Sequence, residues 1–243
     1  MVIHLVIMLI KTIKTKVFVE GEDLVSFIVR HIKRLKENSV IVVTSKIVAL
    51  AEKRTVKIID ESTKEQYIKK ESEFAMPTKY AWLTIKDGIV MASAGIDESN
   101  AQGKLILLPK DSYTTARKLR NVLKKKYGVK NLGILITDSR TTPLRLGVTG
   151  VALGYAGFQG IRDYRGRPDI FGRKLHFSRT NIADSLATAA VLEMGEADEC
   201  RPLAVIEGAT VVFSERTNTN ELRIDPRDDM YKPFFDNLPS KKS

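Results

Sequence analysis

Three acidic residues stand where apolar segments give way to polar ones: Asp97 after a strand-like run, Asp138 after another, and Glu196 after a helical stretch. Hard divalent cations need such oxygens. Mg²⁺ or Mn²⁺ held by a few carboxylates, with phosphate oxygens completing the shell, is the usual arrangement for nucleotide chemistry. Taken singly, each of these acids equally suits a cap or a turn. Other chemistries find less support. The histidines, His4, His31 and His176, are scattered with no HxxxH or Cys partner, which argues against zinc. His31 falls on an apolar helical stripe and is expected to pack there. Cys200 has no visible activating base. Neither a GxSxG motif nor a P-loop occurs, so a covalent serine mechanism and a P-loop kinase fold lose weight.

The elements that must position these acids follow from periodicity. Leu24, Phe27, Ile28, His31 and Leu35 share one stripe of an amphipathic helix over residues 23–36. Ser39–Thr44 is a β-branched run suited to burial on both faces, and it leads directly into a helical stretch from Ser45 to Glu52. Such a strand-to-helix join is a natural phosphate site. Residues 60–79 are polar with weak periodicity and read as surface helix and loop. Trp82–Ile85 and Ile89–Ala92, joined around Asp87-Gly88, read as a hairpin. After a short strand at Leu105–Leu108 and a break at Pro109, Ser112 starts a helix with a stripe of Ala116, Leu119, Val122 and Leu123, closed by Gly128. Leu132–Thr137 is a strand delivering Asp138-Ser139 at its carboxyl end. The glycines at 147, 150, 154, 157 and 160 fit no phosphate-loop spacing and point to close packing in bent strands. A charged loop spans residues 162–173. Asn181 caps a helix with Asp184 as capping-box partner and Ala183, Leu186, Ala187 and Ala190 as its small-residue face. That helix ends at Met194-Gly195-Glu196, and a strand at Leu203–Ile206 precedes a polar tail.

Strands and helices mix without strict alternation, which favours α+β over a doubly wound sheet. At 243 residues, with neither repeat nor low-complexity linker, the chain reads as one unit over 1–243. A single cysteine suits a reducing compartment, with cytoplasm the expected location. The apolar start, Met1 to Ile10, lacks a basic leader and a small-residue cleavage site and is too short to span a bilayer, so it reads as a first strand with ragged upstream residues. Lys and Arg number 40 against 29 Asp and Glu, a net charge of +11 that implies an anionic partner. The densest basic run, Arg117 to Lys126, has helical spacing and reads as a solvated face. No RNA-binding motif or zinc-finger spacing supports nucleic acid.

Several segments together resemble the coenzyme F420-0:gamma-glutamyl ligase family and its relatives suspected of glutamylating folates. They are Ser45-Lys46-Ile47-Val48, Ala94-Gly95-Ile96-Asp97-Glu98-Ser99-Asn100, Thr137-Asp138-Ser139, Asp163-Tyr164-Arg165-Gly166 with Asp169 and Gly172-Arg173, and Ala183-Asp184 followed by Met194-Gly195-Glu196. They occur in family order over residues 12–208, with the tail from 209 to 243 divergent.

The resemblance implies a mixed fold of bent, bifurcated sheets with packed helices, assembled as a homodimer. It implies two metal sites for Mg²⁺ or Mn²⁺, one held by Asp97 and Asp138 and one by Ser139 and Glu196, where the family usually has Thr at 139. It places Ser45, Lys46, Asn100, Met194 and Gly195 along a nucleotide, GTP in preference to ATP. The activity implied is ligation of L-glutamate to a carboxylate of a phosphorylated or conjugated small molecule. The γ-phosphoryl passes to that carboxylate and the glutamate amine attacks the acyl phosphate, with Asp138, Asp97 and Glu196 as the catalytic acids. Arg145, Arg162, Arg165 and Arg173 are candidates for acceptor phosphate or carboxylate. F420-0 and folate are alternative acceptors, and a non-enzymatic basic nucleotide- or nucleic-acid-binding protein is the reading from a different class. Two departures stand out. Leu50 occupies the place of a phosphate-facing Lys, leaving Lys46 or Lys53 to supply that charge, and Lys14-Thr15-Lys16-Val17 replaces a Gly-Leu-Pro-Leu segment.

Overall fold

Strands buried on both faces need helices on both faces, and that requirement organises the molecule. The computed structural model describes residues 7–60 and 62–236. Its elements in chain order are β1 (Leu9–Ile13), α1 (Leu24–His31), β2 (Ser39–Thr44), α2 (Ser45–Ala51), β3 (Thr55–Lys57), α3 (Ser62–Glu71), β4 (Phe74–Pro77), β5 (Trp82–Lys86) and β6 (Ile89–Ala92). They continue with β7 (Lys104–Ile106), α4 (Ser112–Tyr127), β8 (Leu132–Thr141), β9 (Val148–Ala156), β10 (Ile161–Asp163), β11 (Arg179–Asn181), α5 (Ile182–Met194), β12 (Leu203–Glu207) and α6 (Lys232–Phe235). The result is α+β, as the mixed order of elements predicts.

The central sheet runs β1-β12-β2-β8-β9. Only β2 and β8 are parallel neighbours; the other pairs are antiparallel. Because side chains alternate along a strand, Ile41 and Val43 of β2, Ile134 and Ile136 of β8, and Leu203 and Val205 of β12 point into one layer, with α1, α2 and α4. Val40, Val42, Leu135, Ala204 and Ile206 point into the other, against α5. Each such Val, Ile or Leu contributes roughly 1.5–3 kcal/mol of burial free energy. The glycine-rich strand β9 packs as its composition predicts: a Cβ at Gly150 would stand 2.3 Å from the Ala187 carbonyl oxygen of α5, and one at Gly154 would stand 2.5 Å from the backbone of Ser112.

Smaller sheets flank this core: β4-β5-β6, β3-β7 and β10-β11. A mixed ion cluster ties the first to β3. Glu71 accepts from Arg54 at 2.7 Å and from Lys86 at 3.0 Å, and Arg54 also donates Nε to the Leu108 carbonyl. The tail folds back across β9. Tyr155 Oη and the Gly160 amide both donate to Glu221, at 2.5 and 2.7 Å, and Glu215 takes the Arg120 guanidinium at 2.8 Å.

Four sequence expectations need correction. Residues 60–79 hold a strand, β4, as well as helix α3, because Phe74–Pro77 pairs with Trp82–Ile85; its Pro77 and polar flanks hid it. Helix α1 stops at His31 rather than near residue 36. In α4 the buried stripe is Ala116, Leu119, Arg120 and Leu123, and Val122 is exposed. A residue 100° further round reaches the core there, and Arg120 enters it because its Nε meets the Leu132 carbonyl at 2.8 Å while its fork meets Glu215. Finally, β8 runs on to Thr141, so Asp138 and Ser139 lie inside a strand rather than beyond its end. Of the apolar start, residues 1–6 lie outside the described residues, and β1 begins at Leu9. No helix among the described residues is long and apolar enough to cross a membrane.

Candidate functional site

Parallel pairing of β2 and β8 sets Thr44 against Thr137, so the next residues along each strand, Ser45 and Asp138, leave the register side by side. The Ser45 hydroxyl lies beside the Asp138 carboxylate and favours its charged form. Thr137 is buried and donates to the Val151 carbonyl at 2.9 Å, where the β8–β9 ladder shifts register between Ile136 and Thr137. Such an irregularity increases local twist and re-aims the side chains that follow it. Asp138 and Ser139 are those side chains.

Ser139 Oγ donates to Glu196 Oε2 at 3.1 Å. Glu196 is delivered by the end of α5, where Gly195 adopts φ 83°, ψ 171°. That backbone conformation is essentially restricted to glycine, so the turn depends on Gly195. The C-terminal end of a helix carries partial negative charge, α5 has no basic residue in its last turn, and Glu196 adds to that potential. Arg201, eight residues on, meets the Glu193 carbonyl at 3.3 Å. Met194 is buried under α5 beside the sheet.

The third acid comes from the loop between β6 and β7. Asp97 bridges Ile106 through two backbone bonds of 3.0 and 2.8 Å. Its Oδ1 accepts from the Ser99 amide at 2.7 Å and its Oδ2 from the Ser99 hydroxyl at 2.9 Å, an Asx-turn. Lys46, one residue into α2, places its ammonium 2.7 Å from Asp97 Oδ2. Ser93, Ala94, Asn100 and Gln102 of this loop all have positive φ, between 50° and 55°. For non-glycine residues each costs on the order of 1 kcal/mol or more, strain that clusters at functional sites.

Electrostatics separate the two inner acids. Burial drives the Asp138 carboxyl up to about 6, and the neighbouring charges of Asp97 and Glu196 push in the same direction against the Ser139 amide and the Ser45 hydroxyl. Asp97 is also penalised by burial, yet its carboxyl is held below the ordinary value by Lys46 and by Ser99. Asp138 thus lies close enough to Asp97 and to Glu196 to feel the charge of each.

Among the described residues no three His, Cys, Asp or Glu side chains meet closely enough to enclose a metal ion on their own. The donors present are carboxylate and hydroxyl oxygens, with Asp138 lacking a cationic partner among the described residues. That set suits a hard cation that takes its remaining ligands from phosphate or water, the habit of Mg²⁺.

Asn100 is exposed at the loop tip. Lys53, with positive φ, lies along Gly21 rather than beside Lys46. Leu50 is partly buried against the core. The four arginines do not pair with the three acids among the described residues. Arg162 bonds the Thr210 carbonyl and hydroxyl, Arg165 forks onto Asp163 at 2.6–3.0 Å, and Arg145 and Arg173 are exposed on loops. Ser99 emerges as a site residue that sequence reasoning passed over, although its place two residues after Asp97 is the Asx-turn spacing.

Comparison with known proteins identifies the family. The sequence profile of F420-0:Gamma-glutamyl ligase matches residues 12–208. A coenzyme F420:L-glutamate ligase of Methanocaldococcus jannaschii is 40% identical over 138 residues, 57% of this chain and 55% of that protein. The alignment therefore spans about half of that relative's length. Longer alignments join the chain to coenzyme F420:L-glutamate ligases of Methanococcus maripaludis (33% identical, covering 78% of this chain and 83% of the relative) and Archaeoglobus fulgidus (30%, covering 79% and 84%). With the profile covering most of its length, the chain belongs to the F420-0:Gamma-glutamyl ligase family.

Proposed function

We propose that this protein joins the amine of L-glutamate to a carboxylate of a small acceptor of the F420-0 type, at the expense of a nucleoside triphosphate, GTP in preference to ATP. The observation that carries the reading is the convergence of Asp97, Asp138 and Glu196, brought from three separate segments to the carboxyl end of the parallel β2–β8 pair. A carboxylate such as Asp138, buried beside two further acids and without a cationic partner among the described residues, needs a purpose on a chain of net charge +11, and cation-mediated phosphate binding supplies one.

Asp97 with Asp138, and Ser139 with Glu196, would hold two divalent cations. Bound there, Mg²⁺ or Mn²⁺ would neutralise triphosphate charge. The chain's own residues do the remaining work. Ser45 at the start of α2 and Lys46 beside it face the triphosphate, and Asn100 and the Met194-Gly195 backbone flank the nucleotide. An acceptor carboxylate oxygen attacks the γ-phosphorus and the nucleoside diphosphate leaves. The glutamate amine then attacks the acyl carbon, inorganic phosphate departs, and the amine loses a proton. Phosphoryl transfer depends on positioning and charge neutralisation more than on a nucleophilic side chain, which suits a site built of carboxylates, hydroxyls and a lysine. Exposed Leu144, Leu146, Ile170, Phe171 and Phe177 support association with a second copy of the chain, which light scattering would register as twice the monomer mass.

The test is incubation with Mn²⁺, GTP or ATP, L-glutamate and either F420-0 or a reduced folate. The expected result is a mass gain of one glutamyl residue on F420-0. A gain on folate alone would reassign the acceptor, and absence of nucleotide turnover with both would overturn the ligase reading. Binding to nucleic acid that weakens steeply with salt would favour the non-enzymatic alternative.

A further inference from the structure

Every proton of the Lys46 ammonium has an acceptor. Asp97 Oδ2 stands at 2.7 Å, Ser99 Oγ at 3.0 Å and the Ser99 carbonyl at 3.2 Å. Both Asp97 oxygens are likewise engaged, Oδ1 by the Ser99 amide and Oδ2 by Lys46 and the Ser99 hydroxyl. Asp138 shows no such arrangement, and its partners are the uncharged Ser45 hydroxyl and Ser139 amide. Among the described residues, Asp97 therefore carries a cation supplied by the chain and Asp138 does not.

We propose that Lys46 is an exchangeable counter-ion: it holds Asp97 and the strained 93–103 loop in position until a triphosphate arrives, then transfers its ammonium to phosphate and releases Asp97 to a divalent cation. This rests on the ligase reading above. The pair is built for exchange, because the side chains are 30% and 40% exposed and ion pairs of that kind contribute only about 0–1 kcal/mol. The swap also keeps charge balanced: Asp97 trades a monovalent for a divalent cation while the ammonium meets the anion that entered with it. Lys46 thereby acts as a positioning residue, making metal binding at Asp97 dependent on nucleotide.

The experiment is a Mn²⁺ titration of the full chain without nucleotide, read from the electron paramagnetic resonance of free Mn²⁺, for wild type, Lys46→Met, Lys46→Arg and the double variant Lys46→Met/Asp97→Asn. Circular dichroism checks that each is folded. Lys46→Met is expected to bind Mn²⁺ about tenfold more tightly than wild type, the double variant to lose that gain, and Lys46→Arg to behave as wild type. A merely structural lysine would give the opposite, since losing it would loosen the loop and weaken Mn²⁺. Unchanged, weaker or undetectable Mn²⁺ binding by Lys46→Met overturns the proposal, as does a gain that survives Asp97→Asn. Glutamyl transfer by wild type, measured separately, distinguishes the two readings: turnover with no gain in Lys46→Met removes only the exchange, whereas no turnover removes the ligase.

Discussion

Asp97 and Asp138 are neighbouring carboxylates, yet the fold treats them oppositely. Asp97 sits in an irregular loop whose own Ser99 and neighbouring Lys46 satisfy it locally, so its carboxyl is pulled down. Asp138 sits within a strand of the central sheet, where burial and two further acids push its carboxyl up to about 6. The lesson is that a loop can bring its own counter-charge, whereas a rigid sheet can hold a charge in a place where folding alone would reject it.

That contrast can be broken most severely at Asp138. Asp138→Asn is expected to lower the rate of glutamyl transfer by about 10³-fold, the scale for removing a preorganised electrostatic group, when followed by mass spectrometry. Retained activity would take Asp138 out of the reaction.

The same variant should be more stable than wild type in excess chelator at pH 7.5, by up to about 3 kcal/mol from a shift of roughly two units. The sign follows from the raised value. The folded chain holds the Asp138 proton more tightly than the unfolded chain, so wild type loses stability as pH rises from about 4 to 6, and the advantage of the variant should vanish below pH 4. Urea denaturation across that range measures it, and an equal or lower stability at pH 7.5 would refute it.

A smaller effect is expected at Gly150, which lies opposite Ser139 on β9 with the Ala187 carbonyl where a Cβ would go. Gly150→Ala should cost about 1–3 kcal/mol in thermal or chemical denaturation, because α5 must move away from the sheet. Since α5 also delivers Glu196, glutamyl transfer should fall with it; full activity would show that the two are not linked. Least of all, Asp97→Asn should lower stability by about 0.5 kcal/mol at pH 7.5, as befits a partly exposed pair. Its sign is opposite to that of Asp138→Asn: the depressed carboxyl contributes above the ordinary Asp range and the contribution disappears as pH falls through its folded value.

Most of the sheet was legible from pattern. The β-branched run Ser39–Thr44, the hairpin around Asp87-Gly88 and the helix between the Asp111 cap and Gly128 all form where periodicity and turn chemistry put them. Local signals fail where a distant partner decides. Nothing near Phe74 announces that it will pair with Ile85, and Arg120 enters the core only because Leu132 and Glu215 await it. At the candidate site, residue types singled out the acids, but their placement depends on the β2–β8 register and on a bulge, neither of which a single sequence displays. The Lys46–Asp97 pair lay equally hidden, since its members come from segments 51 residues apart with no shared periodicity.

The β2–β8 ladder has a kinetic implication as well. Two parallel strands so distant in the chain can find each other only after everything between them has been synthesised and the long loop closed, at a considerable entropic cost. Ser45 and Asp138 therefore become neighbours late. Until then the nascent protein carries its acids apart, where none of them repels another, and the electrostatic penalty of the finished centre arrives with the same β2–β8 pairing that assembles the hydrophobic layers.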